Sequence, residues 1–239
     1  MNGILYGVGV GPGDPGLITV KAIQCIRSAD LICLPKKERD SCRAYQIAQQ
    51  AVPEIKEKEY ICCDFKMVTD REKLIKSHRE IYEKIREYLR KGKSIAFLTL
   101  GDPSTYSTFS YILHQAQEEK FSVEIIGGVT SYNAIAADLG IVLCEDNEEL
   151  HIGTSQSDIE AFLKLPGTRI IMKPGRSLTK IKSYLMQAEE EGRVLVYAVS
   201  NCGLPNETKY FTASDIPLDS EYMTTIIIKD NPSYIPPYI

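Results

Sequence analysis

The sequence predicts an α/β protein of two domains, and three observations carry that expectation. Its 239 residues exceed the roughly 100–200 of one ordinary domain and fall short of three. Short apolar runs alternate with helical patterns through the first half. The same alternation restarts after Glu118-Glu119-Lys120, which puts the boundary near 118–121 and the domains at 1–119 and 120–239.

In chain order, ILYGVGV (4–10) reads as a strand, 17–29 as a helix and DLICLP (30–35) as a second strand, the order of a βαβ unit. Residues 69–91 give the clearest helix. Thr69 and Glu72 form a capping box, Leu74, His78, Ile81, Ile85 and Leu89 recur at helical spacing, and Gly92 closes it. SIAFLTL (94–100) is apolar without a break, as a parallel strand covered on both faces must be, and GDPST leads from it into a helix carrying Tyr111, Ile112 and Leu113. Beyond the restart come a strand SVEII, the loop GGVTS and a small-residue helix SYNAIAADLG. Strands are expected at 149–154, 169–173, 193–200 and 223–229, with one good helix at 177–190. NPSYIPPYI, rich in proline and tyrosine and without a period, reads as a tail laid over a surface, with lining a site as the alternative.

Hydrophobic residues make 44% of the chain and charged residues 25%, enough to build a real core. A net charge of -4 exerts no general pull on nucleic acid or anionic membrane, so any basic site must be local. No apolar stretch approaches the roughly 20 residues of a membrane span, and the start lacks the flank and apolar run of a signal peptide, which reads as cytoplasmic. The seven cysteines are scattered without a C-x-x-C pair and are expected as reduced thiols; Cys25, Cys33, Cys62 and Cys144 sit in or beside apolar runs as small hydrophobes. His78, His114 and His151 are too separated to suggest a metal site, and none is expected.

GPGDPG (11–16) satisfies G-x-G-x-x-G behind a first strand, where a dinucleotide fold would put it. Pro12 and Pro15, however, remove N–H donors that a pyrophosphate cradle uses, and the second strand ends in Pro35-Lys36-Lys37 rather than an acid, which argues against a nicotinamide cofactor. A permissive turn explains the glycines but not two rigid prolines around Asp14, which itself reads as the start of the next helix. The loops at 34–43, 100–108, 126–131 and 200–207 also follow apolar strands. Ligands of open α/β sheets bind beyond the carboxyl ends of strands, so these loops are expected to converge on one crevice.

GVGVGPGDPGLITVKA, TLGDPSTYST and IIGGVTSYNAIAADLGI resemble the tetrapyrrole (corrin/porphyrin) methyltransferase family. The likeness spans nearly the whole chain, is strongest in the two proline-containing loops and is least diagnostic in 36–68 and the tail. Within the family the chain is similar to the branch that methylates C20 of precorrin-2 or cobalt-factor II in cobalamin synthesis. The resemblance implies two α/β domains with S-adenosylmethionine in the cleft between them, S-adenosylhomocysteine as product, a tetrapyrrole substrate and a homodimer. Carried over by position, cofactor contacts fall on Leu100, Gly101, Asp102, Thr105, Thr130, Ser131, Met172 and Gly203, and Pro12 falls where cofactor meets substrate. Many relatives have a second glycine where this chain has Leu100; the leucine, with Tyr106-Ser107-Thr108 after it, matches the C20 branch and weakens a uroporphyrinogen methylase assignment.

Plainer roles stand beside these. Met172 within RIIMK also reads as core, and Thr130 and Ser131 as helix caps, a role compatible with cofactor contact. Asp102, set between glycine and proline, is poorly placed to cap a helix starting near Tyr106 and reads as functional. Lys36, Lys37, Arg39 and Arg43 read as solvated surface or as a rim that holds substrate carboxylates. In the implied reaction C20 is itself the nucleophile, so no protein nucleophile is required, and its proton leaves to water or a base, with Asp102 and Tyr106 as candidates. The alternatives are another member of the family, such as a methylase of a different ring position or diphthine synthase, and a non-catalytic binding module.

Overall fold

The computed structural model describes residues 2–65, 70–155, 157–220 and 223–233. Contacts divide the chain into Met1–Thr130 and Ser131–Ile239.

In the first unit β1 (Ile4–Gly9) is followed by α1 (Val20–Ser28), β2 (Leu31–Leu34), α2 (Arg43–Ala51), β3 (Glu59–Cys62), α3 (Arg71–Arg90), β4 (Ile95–Thr99), α4 (Phe109–Glu118) and β5 (Ser122–Ile126). The five strands form one parallel sheet in the order β3-β2-β4-β1-β5. Every residue of β4 is buried because helices cover both faces. Ala96 and Leu98 pack among residues of α1 and α2, such as Ala22, Ile26 and Ile47. Ile95 and Phe97 pack among Ile81, Ile85 and Leu89 of α3 and Phe109 and Ile112 of α4. Each large apolar side chain so covered contributes about 1.5–3 kcal/mol relative to exposure.

Helix starts follow local chemistry. Asp14 caps the short turn Pro15–Leu17 by accepting from Gly16 N at 2.7 Å, and Thr19 then caps α1 by accepting from Ala22 N at 3.1 Å. The expected helix at 17–29 therefore begins three residues later, at Val20. Asp70 caps α3 through Glu72 N and Lys73 N; the capping role expected of Thr69 falls outside the described residues. The stripe His78, Ile81, Ile85 and Leu89 is buried, Tyr82 joins it, and Leu74 is half-buried.

The domain boundary differs from the 118–121 expected. β5 pairs in parallel with β1 from Ile4↔Ser122 to Val8↔Ile126, so this strand completes the first sheet and the unit runs to Thr130. The restart at 118–120 is the turn between α4 and β5 of another βαβ step, which in sequence looks the same as a new domain.

The second unit holds α5 (Ser131–Leu139), β6 (Leu150–Thr154), α6 (Ile159–Leu163), β7 (Thr168–Met172), α7 (Leu178–Glu190), β8 (Val194–Ser200), β9 (Thr208–Tyr210) and β10 (Thr224–Asp230). Its sheet is mixed, in the order β6-β7-β10-β8-β9. β6 and β7 are parallel, while β10 runs antiparallel between β7 and β8. Ile171, Ala198, Ile226 and Ile228 face the core beneath α6 and α7. The antiparallel course of β10 brings its first residues to the carboxyl ends of β7 and β8, in the register Thr225↔Met172 and Thr224↔Ser200.

All seven cysteines are free thiols. Cys33 and Cys63 lie 3.4 Å apart in the core, and burial pushes the Cys33 thiol well up, which keeps it protonated. Among the described residues no helix is long and apolar enough to cross a membrane, and no group of three or more His, Cys, Asp or Glu is placed to hold a metal. Of the terminal segment only Asn231, Pro232 and Ser233 are described; the tail expected over a surface otherwise lies outside the described residues.

Candidate active site

Neighbouring parallel strands β4, β1 and β5 send their loops out at the same edge, and there the backbones meet. Gly101 N donates to Gly11 O at 2.8 Å and Gly11 N to Gly101 O at 3.4 Å, an antiparallel bridge between the proline-bearing loop and the Asp102 loop. Gly101 adopts φ +66° to make it, a conformation natural only to glycine. The GGVTS loop closes on the same point: a Cβ on Gly128 would stand 2.2 Å from Gly101 O, and one on Gly9 2.5 Å from that same oxygen. Three of the loops singled out in the sequence are thus joined within the first unit.

Asp102 fastens them. Its Oδ1 accepts from Ser104 N at 2.8 Å and from Ser104 Oγ, and its Oδ2 accepts from Gly128 N at 2.9 Å. A carboxylate suits this position because it only accepts, and three donors converge on it. Thr105 N donates to Asp102 O at 3.3 Å, continuing the turn. Tyr106 follows at φ +46° with its side chain 46% exposed, a left-handed conformation that costs a non-glycine residue on the order of 1 kcal/mol. Ser107, rather than Thr108, then serves the start of α4: its Oγ pairs with Thr99 Oγ1 at 2.9 Å and accepts from Phe109 N at 3.2 Å.

Neither hydroxyl at the start of α5 acts as a cap. Thr130 Oγ1 is buried and has no hydrogen-bond partner among the described residues. Ser131 Oγ pairs with Thr225 Oγ1 at 3.1 Å instead of an α5 amide. An unpaired buried hydroxyl costs about 1–3 kcal/mol, so a polar ligand group that satisfies Thr130 fits this chain.

In the second unit Ile171, not Met172, enters the core; Met172 alternates to the opposite face, level with Thr225 and with Thr154 of β6. Lys173 follows at φ +54°, and burial pushes its ammonium below the usual lysine range. Asn201, at φ +56° and only 2% exposed, follows β8. Gly203 stands at φ +73° with its N–H donated to Glu207 Oε2 at 2.6 Å.

The basic cluster behind β2 divides. Lys36 and Lys37 are exposed. Arg39 is half-buried, with its guanidinium 5.4 Å from the Tyr45 ring centre and 5.2 Å from that of Tyr60, and its Nε 3.0 Å from Asp40 Oδ1. Arg43 opens α2 and is half-buried. Sequence reasoning missed Ser104, Gly128, Thr225, Lys173 and Asn201. Ser104, two residues after Asp102, carried a turn signal that could have been read; Asn201 is of a residue type that enters the left-handed region more readily than most, and Lys173 precedes the turn pair Pro174-Gly175.

Fold and edge together define a two-unit α/β protein whose first unit carries glycine-joined loops at the carboxyl ends of parallel strands, the place where open α/β sheets take their ligands. The family described as Tetrapyrrole (Corrin/Porphyrin) Methylases matches residues 4–217, and the chain belongs to it. It is similar to the probable cobalt-precorrin-2 C(20)-methyltransferase of Methanocaldococcus jannaschii, at 39% identity over 71% of each chain. It is also similar to the cobalt-precorrin-2 C(20)-methyltransferase of Salmonella typhimurium, at 30% identity over 98% of this chain and 99% of that one. Among solved structures, a uroporphyrin-III C-methyltransferase from Thermus thermophilus complexed with S-adenosylhomocysteine shares the fold, with a TM-score of 0.70 at 18% identity over 95% of this chain and 97% of that one.

Proposed function

We propose that this chain transfers a methyl group from S-adenosylmethionine to carbon C20 of precorrin-2 or cobalt-factor II in cobalamin biosynthesis. One observation carries the reading: the likeness to the Salmonella typhimurium protein of that C20 activity runs over 98% of this chain.

Bound S-adenosylmethionine supplies an electrophilic methyl group on a sulfonium. Leu100, Gly101, Asp102 and Thr105 of the first unit hold it, together with Thr130, Ser131, Met172 and Gly203, and Pro12 forms the lip toward the macrocycle. The unpaired Thr130 hydroxyl and the turn of Met172 away from the core support that assignment. Asp102 acts by holding its loop against Gly128, a role supported by the three hydrogen bonds its carboxylate accepts. The electron-rich C20 is the nucleophile, so these residues contribute by alignment, which in well-oriented reactions is worth about 7–11 kcal/mol. The cysteines stay outside the chemistry. The C20 proton leaves to water or to a base on the loop 100–108, where Tyr106 is the exposed candidate. Lys36, Lys37, Arg39 and Arg43 hold carboxylates of the tetrapyrrole through charge-assisted hydrogen bonds.

The reading extends to a cytoplasmic homodimer, as the family resemblance implies, and to neither nucleic acid nor membrane as partner, which a net charge of -4 supports. The test is incubation with methyl-labelled S-adenosylmethionine and metal-free or cobalt-loaded substrate, followed by mass spectrometry and NMR assignment of the new methyl. Label on C20 is expected. Label on another ring carbon, or binding without transfer, overturns the assignment.

A further inference from the structure

Thr225 sits on β10 directly opposite Met172 on β7 and Val199 on β8. It is 5% exposed and faces away from the core that Ile226 enters. Its side-chain hydroxyl has one hydrogen-bonding neighbour among the described residues, Ser131 Oγ at 3.1 Å. Either hydroxyl can donate in this pair, but Thr225 is buried whereas Ser131 is half-buried, so the arrangement that leaves no buried hydroxyl proton without an acceptor has Thr225 donating. The Ser131 proton is then directed to a third group.

We infer that Thr225 is a positioning residue that fixes the Ser131 hydroxyl as a hydrogen-bond donor to an acceptor atom of S-adenosylmethionine held beside Met172. The inference rests on the proposed cofactor role of Ser131. It goes beyond that role by assigning a direction to the hydrogen bond and a second residue, 94 positions away, that sets it. Thr225 does not touch the reacting atoms, so its effect appears in cofactor affinity and not in turnover at saturation.

The test compares Thr225→Val, which keeps the shape and removes the hydroxyl, with Thr225→Ser, which keeps the hydroxyl, and with Ser131→Ala alone and combined with Thr225→Val. The S-adenosylmethionine Kd is measured by calorimetry, with kcat at saturating cofactor and the melting temperature of each variant. Thr225→Val is expected to weaken cofactor binding about tenfold, the size of one hydrogen bond. Thr225→Ser is expected to stay within about twofold, and the double variant to bind no worse than Ser131→Ala, because the two hydroxyls act as one unit. In Thr225→Val and Thr225→Ser, tetrapyrrole affinity and kcat at saturating cofactor are expected to stay unchanged. Wild-type cofactor binding by Thr225→Val alongside weakened binding by Ser131→Ala overturns the inference, as does equal weakening by Thr225→Val and Thr225→Ser. Wild-type cofactor binding by Ser131→Ala overturns the cofactor role of Ser131 itself. If Thr225→Val does not fold, Thr225→Cys, whose thiol is a weak donor, takes its place with the same expectation.

Discussion

Gly128→Ala puts a methyl group where three backbones already touch. The added Cβ would lie 2.2 Å from Gly101 O and 2.9 Å from the Cα and carbonyl carbon of Gly9. Reaching even 3.0 Å from that oxygen requires a shift of 0.8 Å, and every neighbour that must move is main chain, so no side-chain rotation relieves it. Moving Gly128 outward lengthens its 2.9 Å bond to Asp102 Oδ2, and moving Gly101 opens the bridge to Gly11. Losing the charge-assisted bond costs about 1.5–3 kcal/mol and overpacking a close contact about 1–3 kcal/mol. The sum, about 2.5–6 kcal/mol, is a large share of the 5–15 kcal/mol that holds an ordinary domain together. Urea unfolding measures it directly. Gly140→Ala is the control: Gly140 has φ +65° but nothing within 4 Å of an added Cβ, so only backbone strain of about 1 kcal/mol is expected there. Gly128→Ala no more destabilised than Gly140→Ala would refute the argument that the loops are joined by close packing at this point.

Asp102→Ala and Asp102→Asn are both expected to weaken S-adenosylmethionine binding by about 10–100-fold, because alanine removes the clasp and asparagine leaves one acceptor oxygen where Ser104 and Gly128 donors call for two; calorimetry showing wild-type affinity in Asp102→Ala would displace that loop from the cofactor site. Lys36→Ala combined with Lys37→Ala should leave stability within about 0.5 kcal/mol, as both side chains are exposed, and should weaken tetrapyrrole binding severalfold while leaving cofactor affinity intact, with the difference fading at high salt. His78, buried and stacked on Tyr111 at 4.1 Å, has its pKa pushed below the ordinary value by burial. The unfolded chain therefore takes up that proton first as pH falls through about 6.5, and stability declines from there down to the lowered folded value. The urea midpoint should be lower at about pH 5.5 than at about pH 7.5, and His78→Phe should narrow that gap; an unchanged gap would show that His78 is not its source.

The strands most plainly legible in the sequence were those with unbroken apolar runs. β4 and β2 are buried at every position, and their runs survive reading without any tertiary knowledge. β3 escaped because it is an edge strand with Glu59 and Tyr60 exposed, so EYIC carries no run. α2 escaped because its buried stripe mixes Ala44 and Ala48 with Tyr45 and Ile47, a weak apolar signal inside a polar segment. α6 and β9 span five and three residues, too short for a period to show. The misplaced boundary has a different origin. Whether SVEII opens a new sheet or completes the first depends on its pairing with Ile4–Gly9, more than a hundred residues earlier, and no local pattern encodes that.

The site was legible to the extent that it is local. Two prolines between glycines announce a stiff loop wherever they occur, and GPGDPG and GDP needed no structure to stand out. Asp102 marks where local reading stops. From sequence it read as a functional residue, a cofactor contact or a base rather than a cap, and the structure adds a further role: its carboxylate joins Ser104, two residues away, to Gly128, 26 residues away. A residue in that position shapes two loops at once, and the shape depends equally on glycines whose only property is the absence of a side chain. The Ser131 and Thr225 hydroxyls follow the same logic in the second unit: each looked ordinary in its own segment, one in a helix start and one in an apolar strand, and only their 3.1 Å separation shows that they pair. Chemistry-bearing residue types therefore located the loops, while the contacts that hold those loops in a working geometry come from residues the sequence treats as filler.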